Sequence, residues 1–155
     1  MPRDDRPLTV CDVMTPNPKV AHLGDSLRRV LQTLQEGGFR RLPVLDEAGR
    51  LVGIITDRDV RLAINSPLVL RERWQDEALL DQVTVDVCMT PDPITVRPET
   101  PLLEVARLLR ARKIGGLPVL DDAGRLVGIV TETDLLHALE NLLEQAQARS
   151  DAATR

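Results

Sequence analysis

At 155 residues the chain has room for one domain, or for two small units that share a core. Hydrophobic residues make up 43% of it, but with one Phe (Phe39), one Trp (Trp74) and no Tyr the core must be aliphatic, and the aromatic platforms on which nonspecific single-strand binders stack bases are excluded. A net charge of -4 gives no general attraction to nucleic acid or anionic membrane, and no apolar run approaches the roughly 20 residues that span a bilayer, so neither nucleic-acid binding nor direct membrane insertion is expected.

From the N-terminus, an extended lead is expected to end at a turn, Met14-Thr15-Pro16, where Pro16 and Pro18 keep the backbone out of helix. A brief strand over 19–21 follows. Asp25 is the candidate N-cap of a helix whose Leu27, Val30, Leu31 and Leu34 recur at helical spacing, and Gly37-Gly38 stops it. Two strands, 42–45 and 51–56, are joined by the loop Asp46-Glu47-Ala48-Gly49-Arg50, with Gly49 where a positive φ is expected. A second helix begins near Asp57. Residues 65–82 are read as a linker: Pro67 breaks the chain, and 68–80 form a short amphipathic helix carrying Trp74, which either covers the core or lies beside a ligand.

Then the pattern restarts. Met89-Thr90-Pro91 repeats the first turn, Leu117-Pro118-Val119-Leu120-Asp121 repeats Leu42-Pro43-Val44-Leu45-Asp46, and Ala123–Ile129 repeats Ala48–Ile54. Every pair lies 75 positions apart, and 9–63 aligns with 84–138 without a gap at 24 identities in 55. The second copy therefore predicts a strand over 94–96 and a helix capped by Thr100, with Pro101 at its first position and Leu102, Val105, Ala106 and Leu109 on its buried face. Strands over 117–120 and 126–131 come next, then a helix from Glu132 to about Gln147. Leu135, Leu136, Leu139, Leu142 and Leu143 give that helix a long apolar face, and the final 150–155 are expected to fray.

Each copy is β-α-β-β-α, which makes the fold class α+β: repeats over 8–64 and 83–140 related by a pseudo-twofold axis, a linker over 65–82, and a helical extension and tail over 141–155. One copy of about 55 residues cannot easily cover both faces of its sheet, whereas two can. Leu139, Leu142 and Leu143 either bury within the pair or form a dimer seam, and a homodimer is expected.

Thr56-x-x-Asp59 and Thr131-x-x-Asp134 stand at the two strand-to-helix turns. A carboxylate only accepts hydrogen bonds, and two vicinal sugar hydroxyls offer two donors. Free N–H groups at a helix start suit a phosphate. The same spacing is also a capping box, in which both side chains serve the helix's own N–H groups. Arg40, Arg41 and Arg58 match phosphate geometry with paired donors, while the second copy has Gly115, Gly116 and Thr133 in their places. The phosphate-binding charge is thus unequal between the copies. Which copy's site Arg40 and Arg41 serve stays open, as does a solvated role near Glu36 and Asp46. Gly115-Gly116 either admits a ligand to the backbone or ends the preceding helix. His22 and His137 do not occupy matching positions and lack other metal ligands nearby, so no metal site is expected. Cys11 and Cys88 form no Cys-x-x-Cys, and both are read as ordinary reduced thiols. With no secretory leader apparent, the expected compartment is the cytoplasm. No P-loop, Gly-x-Ser-x-Gly, His-Glu-x-x-His or Gly-x-Gly-x-x-Gly occurs, and no catalytic residue is assigned.

Met-Thr-Pro, the Leu-Pro-Val strand and Gly-hydrophobic-hydrophobic-Thr-x-x-Asp, in order and twice over, resemble the CBS domain, and the whole chain resembles a tandem CBS pair, or Bateman module. The resemblance covers about 8–140. It implies two clefts between the repeats, a regulatory rather than catalytic role, and an adenosine-containing ligand: AMP, ADP, ATP or S-adenosylmethionine. It implies ribose contacts at Asp59 and Asp134, and ribose or phosphate contacts at Thr56 and Thr131. The adenine would be bordered near Lys19-Val20 and Ile94-Thr95. The ligand would alter what an unidentified partner protein meets. The alternative is a ligand-free dimerisation or interaction protein.

Overall fold

A computed structural model describes residues 6–64 and 73–155, the side chains of 73–76 excepted. In chain order the elements are α1 (Val10–Val13), β1 (Thr15–Pro16), β2 (Ala21–His22), α2 (Leu27–Gly37), β3 (Arg41–Leu45), β4 (Leu51–Thr56), α3 (Asp57–Ile64), α4 (Arg73–Gln82), α5 (Val85–Cys88), β5 (Thr90–Pro91), α6 (Leu102–Arg112), β6 (Gly116–Leu120), β7 (Leu126–Thr131) and α7 (Glu132–Ala153). Part of the expected 68–80 helix, and the side chain of Trp74, lie outside the described residues; α4 covers the rest.

The chain forms two units: the residues through Pro16 with 95–122 and 127–155, and 17–94 with 123–126. In the second of these, the sheet order is β2-β3-β4-β5. β2 runs parallel to β3, while β3–β4 and β4–β5 are antiparallel. Leu42, Val44 and Ile55 of the hairpin are buried with Leu27, Val30 and Leu34 of α2, Val60 of α3 and Val85 of α5. In the first unit the order is β1-β7-β6, and the core joins Leu117, Val119 and Val130 to Leu102, Val105 and Leu109 of α6 and to Val10 of α1.

The edge strands expose what the repeat conceals. β1 belongs to the first sequence copy but pairs with β7 of the second, Thr15 opposite Ile129. β5 belongs to the second copy but pairs with β4 of the first, Thr90 opposite Ile54. Each lead therefore completes the sheet of the other copy's hairpin. The methionine of each lead fixes this docking. A Cβ built on Gly128 would lie 2.6 Å from the Met14 sulfur and 3.1 Å from the Thr15 carbonyl oxygen, and Gly53 stands in the same relation to Met89 and Thr90. The missing side chain leaves room for a thioether.

Several local expectations are corrected. The leads are not extended: each contains a helical turn, opening after Thr9 or Thr84, before the prolines. At α1 the box is closed by Asp12, whose carboxylate accepts from Thr9 N–H at 2.8 Å. The strand expected over 19–21 starts two residues later, at Ala21; in the second copy only Val96 makes a bridge, to Val119. Ser26, not Asp25, caps α2, because Asp25 spends its carboxylate on the His22 N–H at 2.9 Å. Pro101 occupies the N-cap of α6 rather than its first turn, and the Thr100 hydroxyl accepts from Arg97 N–H instead. β3 and β6 each begin one residue early. α7 continues through Ala153 instead of ending near 147 with a frayed 150–155: Gln147 bonds Asp151 at 3.1 Å, and the Thr154 hydroxyl bonds the Ser150 carbonyl at 2.9 Å. The left-handed stop at Gly38 (φ 65) and the positive φ at Gly49 stand as expected, and Gly124 repeats the latter.

Candidate functional site

Each unit has one strand-to-helix corner that carries a Thr-x-x-Asp motif. In the first copy β4 ends at Thr56 and α3 begins at Asp57. Asp59 Oδ2 accepts from Thr56 N–H at 2.9 Å, and Thr56 Oγ1 accepts from Asp59 N–H at 3.1 Å. In the second copy Asp134 Oδ2 accepts from Thr131 N–H at 2.8 Å and from the Thr131 hydroxyl at 3.1 Å. Both Thr-x-x-Asp motifs are therefore capping boxes, and it is the aspartate as well as the threonine that caps. The cap uses Oδ2. Among the described residues no hydrogen bond ends on Oδ1 of either aspartate, and both residues are only half-buried. Each corner thus keeps one charged acceptor oxygen in reserve.

Strand register assigns the paired arginines. Arg41 lies directly across from Thr56 in the β3–β4 ladder, and the Arg40 carbonyl accepts from Asp57 N–H at 3.0 Å. Arg40 and Arg41 accordingly lie beside the Asp59 corner, within their own unit. Leu42 and Ile55, the next pair, face the core, which sends Arg41 and Thr56 to the opposite face. Arg58 is exposed on the first turn of α3. At the matching place in the other unit, Glu132 N–H bonds the Gly115 carbonyl at 3.0 Å.

The strand residues lie elsewhere in each unit. Val20, half-buried, lines a groove of about 370 Å³ between the β2 edge and α2, together with Lys19, Arg29, Glu36 and Phe39. Thr95 is exposed immediately before Val96. Asp134 lines a larger groove of about 670 Å³ with Arg6, Asp12, His137 and Asn141. Asp12 and Phe39 escaped the sequence reading. Asp12 had a signal, since Thr9-x-x-Asp12 repeats the Thr-x-x-Asp spacing. Its carboxylate takes two hydrogen bonds from the Arg6 guanidinium, at 2.7 and 3.0 Å. That clamp, with the Thr9 N–H, holds Asp12 at a pKa of about 2. Phe39 had none beyond being the lone phenylalanine.

The remaining groups are unremarkable chemically. Burial, and then the charges of Asp59 and Asp86, push the Cys88 thiol up. Cys11 is exposed and free. His137 is exposed, 3.6 Å from Glu140. Among the described residues no group of His, Cys, Asp and Glu is arranged to hold a metal, and no helix is long and apolar enough to cross a membrane.

The CBS domain family profile matches residues 10–66 and 83–141. A CBS domain-containing protein of Dictyostelium discoideum is 41% identical over 129 residues, which cover 83% of this chain and 89% of that protein. The CBS domain pair of protein MJ0100, solved with 5′-methylthioadenosine and S-adenosyl-L-methionine, superposes with a TM-score of 0.75 at 30% identity, covering 88% of this chain and 98% of that one. CBSX2, a protein of Arabidopsis thaliana, solved with AMP, superposes with a TM-score of 0.70 at 34% identity, covering 86% and 97%. The chain spans far less of several other relatives. It covers 22% of the inosine-5′-monophosphate dehydrogenase of Korarchaeum cryptofilum and 32% of the arabinose 5-phosphate isomerase of Pseudomonas aeruginosa, enzymes in which the shared part is a minority of the protein.

Proposed function

Because the chain belongs to the CBS-domain family, we propose that it is a regulatory module that binds an adenosine-containing ligand at its two strand-to-helix corners and catalyses no reaction. The observation that carries this reading is the duplicated corner, in which a capping aspartate keeps one unengaged, partly exposed carboxylate oxygen. An oxygen already fixed by its cap is pre-organised to accept from ribose hydroxyls at little further entropic cost. Thr56 and Thr131 stand beside it, each joined to its aspartate by the cap. Arg40, Arg41 and Arg58 would meet phosphate. The AMP, 5′-methylthioadenosine and S-adenosylmethionine named for CBSX2 and the MJ0100 pair support the ligand class. The protein would act in the cytoplasm on a partner protein, and the ligand can shift its arrangement only by binding one state better than another.

A homodimer is the second part of the reading. Leu136, Leu139, Leu142 and Leu143 of α7 are 48–62% exposed, a concentration of apolar surface on one helix that a second copy would cover.

Calorimetry with AMP, ADP, ATP and S-adenosylmethionine tests the ligand reading. Asn keeps an acceptor oxygen for the cap but removes the charge, so Asp59→Asn and Asp134→Asn should each abolish one site without unfolding the protein. If both variants bind as the parent does, the aspartates do not hold the sugar. If the parent binds none of the four, the ligand-free dimerisation module is the better account.

A further inference from the structure

The two corners share a backbone but not a charge, and this difference reaches further than the ligand class. Beside Asp59 the backbone of Arg40 and Arg41 is tied to the corner by the Asp57 N–H bond and the Thr56 register, and Arg58 is the residue immediately before the aspartate. Around Asp134 the same three positions are Gly115, Gly116 and Thr133. Each corner carries one further first-turn acid, Asp57 or Glu132, so the acids cancel in the comparison and the arginines do not. Fewer cations stand near the second corner. Lys113, the C-cap of α6, lies two residues before Gly115, and Arg6, which lines the Asp134 groove, is already clamped on Asp12 by two hydrogen bonds. The groove beside Asp134 is otherwise walled by Asn141 and Gln145, by apolar Leu8, Val13 and Leu142, and by His137, which stands 3.6 Å from Glu140.

We propose that the two corners divide the adenosyl class between them. The Asp59 corner takes a nucleotide with a di- or triphosphate chain, and the Asp134 corner takes an adenosyl compound whose 5′ substituent carries no negative charge. A polyphosphate entering the Asp134 corner would meet Glu132 and Asp134 with no arginine on the first turn of the helix, and like charges are repelled. A neutral thioether or cationic sulfonium meets no such penalty and finds apolar walls. At the Asp59 corner the exposed Arg58 stands next to the aspartate in sequence, with Arg40 and Arg41 on the adjoining strand, and guanidinium groups match phosphate oxygens. The difference between Arg58 and Thr133 is the sharpest single determinant, because both occupy the second position of their helices beside the sugar-binding aspartate.

This inference rests on the adenosyl reading above, and the experiment separates the two. The full-length protein, with Asp59→Asn or Asp134→Asn in place to leave one corner working, is titrated with ATP, adenosine and S-adenosylmethionine. The protein keeping Asp59 should prefer ATP to adenosine, with a preference that falls as salt is raised. The protein keeping Asp134 should prefer adenosine or S-adenosylmethionine to ATP and show little salt dependence. Exchanging the determinants should exchange the preference: Arg58→Thr should lower the ATP-to-adenosine affinity ratio at the first corner by roughly tenfold, and Thr133→Arg should raise it at the second. Equal ATP-to-adenosine ratios at the two corners, or a ratio unmoved by either exchange, overturns the division while leaving the adenosyl reading intact. Absence of all adenosyl binding in the parent overturns both.

Discussion

Asp12 shows how a single clamp sets a pH limit. The Arg6 guanidinium, then the Thr9 N–H, lower its pKa from 3.8 to about 2. A carboxylate depressed on folding stabilises the protein above its unfolded pKa, and the contribution disappears as pH falls through the folded value. Asp12→Asn should therefore weaken the first unit at neutral pH, and urea midpoints of variant and parent should approach one another between about pH 4 and about pH 2. A constant gap across that window would mean that the clamp does not contribute. Gly53 and Gly128 make a different prediction. A methyl group on either would force out the sulfur of Met89 or Met14 and press on a backbone carbonyl. Gly128→Ala should cost about 1–3 kcal/mol by overpacking. Pairing it with Met14→Ala should return part of that loss, which denaturant titration of the double variant checks.

At the scale of elements, the caps separate structure from binding. Asp59→Ala should destabilise by about 0.5–2 kcal/mol because the Thr56 N–H loses its acceptor, whereas Asp59→Asn should retain most of that stability. A loss as large for Asn as for Ala would mean that the charge itself, not the cap, stabilises the corner. How legible each element was follows from how local its determinants are. β4 and β7 were readable to the residue, because an apolar run is bracketed by a glycine turn on one side and a Thr-x-x-Asp corner on the other. The starts of α2 and α6 were not, because Asp25 and Thr100 are good caps by type and only the fold shows that their side chains are committed to the preceding turn. The lead helices were hidden by their brevity: four residues carry no period. Both Thr-x-x-Asp corners were visible as a repeated spacing, but their arginines were not assignable, since Arg41 meets Thr56 only through a strand register that residue types do not encode.

At the scale of the molecule, the two units do not coincide with the two sequence copies. The fragment 17–94 contains nearly all of one unit, including α5 and β5, whereas 83–155, a full sequence repeat, lacks the α1 and β1 that its core requires. Hydrogen exchange on the separate fragments should find slow amides in the β3–β4 hairpin of 17–94 and much weaker protection in β6–β7 of 83–155; equal protection would show that the leads are dispensable. The leucines of α7 set the other test at this scale. Leu139→Glu with Leu143→Glu should halve the mass seen by light scattering if two copies meet there, and an unchanged mass would place the contact elsewhere.

The crossed leads also bear on how such a gene can shorten. Unequal recombination between its two homologous stretches deletes one period, joining the upstream opening segment to the downstream body. That hybrid is the pairing already found in the first unit, where Met14 rests on Gly128 and Thr15 lies opposite Ile129. A half-length descendant would inherit a matched interior at birth, without a round of compensating substitutions.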